Sequence, residues 1–156
     1  MAVDIFAKIV TIKGESSDTK HKDEIEILSY SWGVQQTLGP VDEGSGKANF
    51  QDFTIVHRID KSTPALMLAC ATGSHFKDGI ITQRKAGKEP QEYLIIKMND
   101  IIITGVTHGG DTTGPGSETV TISFAKVDLE YRPQKADGSL DAGLHFKYDI
   151  KGNKEG

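Results

Sequence analysis

Several things are scarce in this chain, and each shortage removes a class of explanation. Among 156 residues there is one cysteine, Cys70. No intrachain disulfide can form, so the fold does not depend on an oxidising compartment. No apolar run approaches the ~20 residues a helix needs to span a bilayer, and no membrane insertion is expected. There is no basic excess: 18 Lys and Arg stand against 22 Asp and Glu, a formal charge of −4. Nucleic-acid binding usually leaves a basic footprint, so nucleic acid is not an expected partner. No secretory leader is expected in the opening residues, because Asp4 and Lys8 interrupt the apolar positions and no small-residue cleavage site follows. No internal repeat, low-complexity block or linker divides the chain, and its length fits one domain over residues 1–156.

Signatures of catalysis are equally thin. His21, His57, His75, His108 and His145 are scattered without metal-ligand spacing, so no metal site is expected. Gly44-Ser45-Gly46-Lys47 has part of a phosphate-binding loop, but Val41 and Ala48 occupy the positions that need a glycine and a hydroxyl. His57 with Asp52 and Asp60 can be drawn as an acid–base cluster. Its place beside Phe53 and Ile55 on one strand face instead marks His57 as a packed or interface histidine. Cys70 falls late in its helix, away from the amide-rich end that favours a thiolate, and reads as core. Arg84, Lys85 and Lys88 cluster at a hairpin turn with no interleaved aromatics, which suggests a solvated turn or a subunit contact. Trp32 and Tyr30, alternate residues on one strand, read as core rather than as a ligand platform. No catalytic residue and no cofactor is expected.

What the chain does have is strand signal and one punctuated helix. Within Ile59–Gly73, Ser62 or Thr63 can accept hydrogen bonds from the first-turn amides. Pro64 sits where its missing N–H costs nothing, and Gly73 can take the left-handed terminating conformation. The roughly nine residues between are too few for a stable isolated helix, so Leu66, Met67, Leu68 and Cys70 are expected to dock on a sheet.

Elsewhere the period is two. Val3, Ile5, Ala7 and Ile9 alternate with Asp4, Phe6 and Lys8, and Phe6 implies that the second face is not simply wet. Glu24–Gln36 begins with Ile25 and Ile27, then continues as Leu28, Tyr30, Trp32 and Val34 on the other parity, the mark of a β-bulge. The opposite face of its second half carries Ser29, Ser31, Gly33 and Gln35, small or polar and uncharged. A glycine-containing loop over Leu38–Lys47 is longer than a tight hairpin needs. Ala48–Ile59 is a strand. Ile80–Lys85 and Gln91–Val106 form a hairpin, and Glu118–Tyr131 is a strand with a parity switch near Ala125. A last strand follows at Phe146, Tyr148 and Ile150, and Lys151–Gly156 is expected to fray. Several bulged strands and one helix call for a curved, closed or nearly closed sheet.

Taken in order, these residues closely resemble the Hcp family, the tube protein of bacterial type VI secretion. The resemblance spans about residues 1–150. It rests on Met1-Ala2-Val3-Asp4-Ile5-Phe6 with Lys13-Gly14-Glu15-Ser16, on Ser31-Trp32-Gly33, and on Gly46-Lys47-Ala48-Asn49-Phe50-Gln51-Asp52-Phe53 leading into Ile59-Asp60-Lys61-Ser62-Thr63-Pro64 and Ala69-Cys70. Arg84-Lys85-Ala86-Gly87, Glu92-Tyr93-Leu94-Ile95-Ile96 and Tyr131-Arg132-Pro133-Gln134-Lys135-Ala136-Asp137-Gly138 complete the set.

The resemblance implies a mainly-β chain, a β-barrel with one short α-helix at its side. It also implies a homohexameric ring, rings stacked into a hollow tube, and a sheath, spike and baseplate that fire it. Effector proteins would travel in the lumen. The subunit would assemble in the bacterial cytoplasm and be secreted without a signal peptide, as a structural protein and not an enzyme. Ser29, Ser31 and Gln35 would then line the lumen. The loop carrying Pro40, Asp42 and Glu43, where relatives are often richer in glycine and serine, would face the adjacent ring. A phage-type tail tube shares these expectations. A small-ligand barrel would need instead an interior pocket lined by large apolar residues.

Overall fold

The structure is a computed structural model that describes residues 2–37 and 47–156. Its elements are β1 (Val3–Ile9), β2 (Ile25–Glu26), β3 (Ser29–Ser31), β4 (Val34–Thr37), β5 (Lys47–Phe50), β6 (Phe53–Arg58), α1 (Thr63–Thr72), β7 (His75–Lys85), β8 (Gln91–Gly109), β9 (Ser117–Tyr131), β10 (Leu144–Asp149) and β11 (Lys154–Glu155). The chain is mainly β with one helix, as the alternating pattern requires.

Nine strands make one antiparallel sheet in the order β11-β10-β9-β8-β7-β1-β2, with β6 added on β9 and β3 on β6. Strand β9 is the branch point. One side pairs with β8; the other pairs with β6 at its start and β10 at its end. Strands β4 and β5 form a separate hairpin.

The segment expected as one strand over Glu24–Gln36 is three short ones. Its parity switch is a change of partner: Ile27 N–H donates to Ile5 O at 2.9 Å, and Leu28 N–H donates to Val56 O at 2.8 Å. Ile25 and Ile27 are buried against β1, and Tyr30 and Trp32 pack on the core. Leu28 and Val34, expected beside them, are 47% and 50% exposed. Leu28 sits at the handover, and Val34 has already left the main sheet for the hairpin.

The switch near Ala125 is also present, and it is shared. Burial passes from Phe124 to Val127 on β9 and from Met98 to Ile101 on β8, with Asp100 at a positive φ of 55°. Two neighbouring strands change phase on one line, so their pairing keeps register while both faces turn over. The β8–β9 ladder shifts register further on, between Ile103 and Gly105.

The core is enclosed by the sheet and plugged by α1. Phe53, Ile55, Ile81, Ile96, Met98, Ile101, Ile103, Val120 and Ile122 are all buried, and Leu66 and Ala69 of α1 join them. The helix docks through Thr63, Leu66 and Ala69, with Cys70 half-buried beside them. Leu68 and Met67 do not dock: they are 65% and 45% exposed, since successive helical residues turn about a third of a circle off the docked stripe. Pro64 opens the helix, and Gly73 ends it at φ 65°, its N–H and that of Ser74 closing on Cys70 O and Ala69 O. Ser62 is the N-cap but does not bond a helix amide. Its hydroxyl instead donates to Asp60, whose carboxylate also takes the Ser62 N–H at 2.8 Å.

Two further expectations change. Residues 151–156 do not simply fray, because Lys154–Glu155 pairs with Tyr148–Asp149. Arg84 is not a solvated turn cation: it is 5% exposed, with Asp18 and Asp4 on its guanidinium and the Phe6 ring below it at 4.8 Å.

Candidate functional site

Along β9 the residues alternate strictly. Glu118, Val120, Ile122 and Phe124 are buried, while Ser117, Thr119, Thr121 and Ser123 face outward and are half-exposed. The register extends that outward face across four strands. Ser31 on β3 lies opposite Thr54 on β6, Thr54 opposite Thr121, and Thr121 opposite Gly105 on β8. One step along, Ser29, Val56, Thr119 and Thr107 form the next row. The result is a sheet face of small residues and hydroxyls.

Among the described residues, charge reaches this face only at its margins. Arg58 stands exposed at the end of β6. At the other end, where the β8–β9 register shifts, the Thr104 hydroxyl bonds the Asp52 carboxylate at 2.7 Å and Thr121 Oγ1 at 2.9 Å. Gly105 makes that crossing possible, because a Cβ there would lie 2.6 Å from Thr121 Oγ1. Such a surface offers hydrogen bonds without a fixed charge to attract or repel.

Among the described residues, neither lateral edge of this four-stranded patch pairs with a further strand, and α1 packs against the β8 side. Strand β3 pairs only with β6, and β8 beyond Ile102 pairs only with β9, since β7 stops there. Unpaired edges are templates for another strand.

Ser29 and Ser31 therefore share one face, as the sequence suggests. Gln35 does not join them: it is exposed on β4, paired with Asn49 in the separate hairpin. The chain leaves the main sheet at Trp32–Gly33, which breaks the continuous face drawn through Gln35. Pro40, Asp42 and Glu43 lie outside the described residues. Thr54, Thr107, Thr119 and Thr121 complete the face and were not singled out from sequence. For the β9 pair the signal was present in the alternation of Ser117-Glu118-Thr119-Val120-Thr121-Ile122. The other two become visible only once the strands are paired.

Beneath the face lies a buried polar cluster centred on a carboxylate. Glu118 is fully buried. Its Oε1 is 2.7 Å from His57 Nε2 and 3.4 Å from Thr63 Oγ1, and its Oε2 is 2.6 Å from His108 Nε2. The partner of His57 is thus Glu118, with Asp60 at 4.0 Å and Asp52 occupied by Thr104. His57 is 1% exposed, so no substrate reaches it. The cluster ties the start of α1 to β6, β8 and β9. Trp32 packs against Phe50, Phe53 and Phe124, and is core rather than a ligand platform.

Among the described residues no group of three His, Cys, Asp or Glu is placed to hold a metal, and no helix is long and apolar enough to cross a membrane. One opening among the described residues, about 760 Å³, is a surface groove bordered by charged residues such as Lys77, Asp78, Asp100, Lys126 and Asp149. It is not an apolar interior pocket.

Residues 6–131 match the family described as type VI secretion system effector, Hcp. The chain is 44% identical over 159 residues to protein hcp1 of Pseudomonas aeruginosa, covering 98% of each sequence. It is similar to the crystal structure of Hcp1 from Salmonella typhimurium, with 40% identity, a TM-score of 0.84 and 99% of each chain covered. A type VI secretion system effector from Yersinia pestis is 37% identical with a TM-score of 0.80, over 94% of this chain and 100% of that one.

Proposed function

This chain belongs to the Hcp family of type VI secretion proteins, and on that basis we propose that it is the structural subunit of the secretion tube. Six copies form a ring, rings stack into a hollow tube, and the tube works with a spike, a sheath and a baseplate. The subunit acts as one domain over residues 1–156. We infer that the sheet curls towards a barrel, a reading supported by the segment that bonds β1 at Ile27 and β6 at Leu28. The role is structural, not enzymatic. The subunit assembles in the bacterial cytoplasm and leaves through the apparatus it builds, carrying effector proteins.

The observation that supports this reading is the hydroxyl face whose two bordering strands, β3 and β8 beyond Ile102, pair with no further strand among the described residues. A ring needs a heterologous contact, two different patches on each subunit. The β3 edge and the β8 edge beyond Ile102 are two such patches on opposite sides of one face. Joining them around a ring would make that face a continuous wall. Ser29, Ser31, Thr54, Thr119 and Thr121 would then line the lumen, where hydroxyls bind varied cargo through water and weak hydrogen bonds. Pro40, Asp42 and Glu43 would face the adjacent ring, as the family resemblance implies.

Native mass spectrometry tests the ring directly. A six-subunit species at tens of micromolar is the expected result. Monomer alone, with no larger species as concentration rises, would sink the reading. Each neighbour contact is expected to bury about 800 Å² per partner.

A further inference from the structure

His21 lies on the segment between β1 and β2, and both of its ring nitrogens meet carboxylates. Nδ1 is 3.0 Å from Glu24 Oε2, and Nε2 is 2.8 Å from Glu92 Oε2 at the start of β8. The ring is 6% exposed and stacked on Phe6 of β1 at 4.4 Å, with the planes 9° apart.

An ionised carboxylate only accepts hydrogen bonds, and a neutral imidazole has one N–H to give. Two hydrogen bonds need two hydrogens. The closed arrangement therefore holds one proton more than a neutral histidine and two ionised carboxylates would, whichever atom carries it.

Charged groups reach this ring from every element packed against it. From the segment itself come Glu24 and Asp18, with Lys20 and Lys22 exposed beside them. Strand β1 contributes Asp4, β8 contributes Glu92, and β7 contributes Arg84, whose guanidinium already serves Asp18 and Asp4. Four carboxylates thus face one guanidinium and one imidazole. Without the extra proton, Glu24 and Glu92 would press on a ring that can satisfy only one of them.

We propose that His21 is a proton-dependent clamp that holds residues 13–24 against the sheet and lets go as the pH rises. The clamped segment is otherwise held by its own backbone bonds, Gly14 N–H to Asp23 O, Ser16 N–H to Glu24 O and Asp23 N–H to Ser16 O, and by the Asp18–Arg84 pair. It also reaches the helix, because the Lys61 N–H donates to Glu15 Oε2 at 2.7 Å. Losing the proton frees the half of the segment beyond Asp18 while the sheet stays folded. The inference does not depend on ring or tube formation.

The test is amide hydrogen exchange on the full chain from pH 6 to pH 9, corrected for intrinsic rates. The amides of Gly14, Ser16 and Asp23 report the segment; those of Val120 and Ile122 report the sheet. The expected result is that segment protection falls with rising pH by up to tenfold per unit, the dependence one released proton gives, while sheet protection does not follow. Glu92→Gln should abolish that dependence and leave the segment protected at high pH. The introduced amide donates to the bare imidazole nitrogen, so both bonds form without the extra proton. His21→Gln should lower protection at every pH and remove the slope. Flat protection in the unmodified protein, or an unchanged slope in Glu92→Gln, would overturn the proposal.

Discussion

Thr119 and Thr121 on β9 face out of the molecule, while Val120 and Ile122, each one residue along, are sealed inside it. The two faces of this one sheet follow different rules. The inner face is fixed by volume: Phe53, Val120 and Ile122 share one core with Leu66 and Ala69 of α1, and the one buried carboxylate among the described residues, Glu118, is surrounded by hydrogen-bond partners. The outer face is fixed by what it leaves out, namely bulk and charge. Threonine suits it because a β-branched residue favours a strand and its hydroxyl satisfies a wet surface. Sensitivity to substitution should therefore alternate residue by residue along the same strand.

The largest expected effect is on the inner face. Phe53→Ala removes a fully buried ring and should cost about 3–5 kcal/mol of subunit stability, read as a fall in the urea midpoint. If it costs under about 1 kcal/mol, the inner face is not close-packed. Glu118→Ala should follow at about 3 kcal/mol, because His57 is left buried without its partner. Glu118→Gln, which keeps an acceptor, should recover part of that loss.

Asp18→Ala probes burial held by charge rather than volume. Two hydrogen bonds to Arg84, at 3.0 and 2.6 Å, are lost, and about 2 kcal/mol should go with them. Arg84 holds the Asp18 carboxyl down to about 2, chiefly through its side-chain hydrogen bond. A carboxyl depressed on folding stabilises the protein above its unfolded value of about 4. That stability drains as pH falls from there through about 2. Urea midpoints between pH 5 and pH 2 should thus drop more steeply for the unmodified protein than for Asp18→Ala. Parallel curves would remove the pair from the account.

The smallest effect on stability belongs to the outer face. Ser31→Arg should leave the urea midpoint within about 0.5 kcal/mol and leave any ring assembled. In the proposed ring it places six charges around one aperture, so effector retention in a co-purification assay should change. A subunit that unfolds instead would mean Ser31 belongs to the inner face.

Much of this contrast can be read without coordinates. The period-two runs, the phase changes at Ile27–Leu28 and near Ala125, and the Pro64 and Gly73 boundaries are local, and local signals survive in a sequence. So does the pairing of Ser29 with Ser31. What could not be read depends on distant partners. Arg84 looks like a turn cation until Asp18, 66 positions away, is placed on it. Thr54 gains its role from Ser31 on one side and Thr121 on the other. Gln35 pairs in the separate hairpin because a strand that keeps its alternation can still change sheets. Leu68 was expected to dock because all its neighbours are apolar, and only the docked stripe shows which side of the helix is covered.

The handover at Ile27–Leu28 has a mechanical consequence. Strand β2 is two residues long and β3 three, against nineteen for β8 and fifteen for β9. A load drawn across the subunit in the direction of the strands is shared along the whole β8–β9 ladder. The same load between β1 and β6 passes through a few bonds in series at one short segment. Under tension that segment is the seam that yields first, and the subunit would open there as a hinged sheet rather than come apart strand by strand.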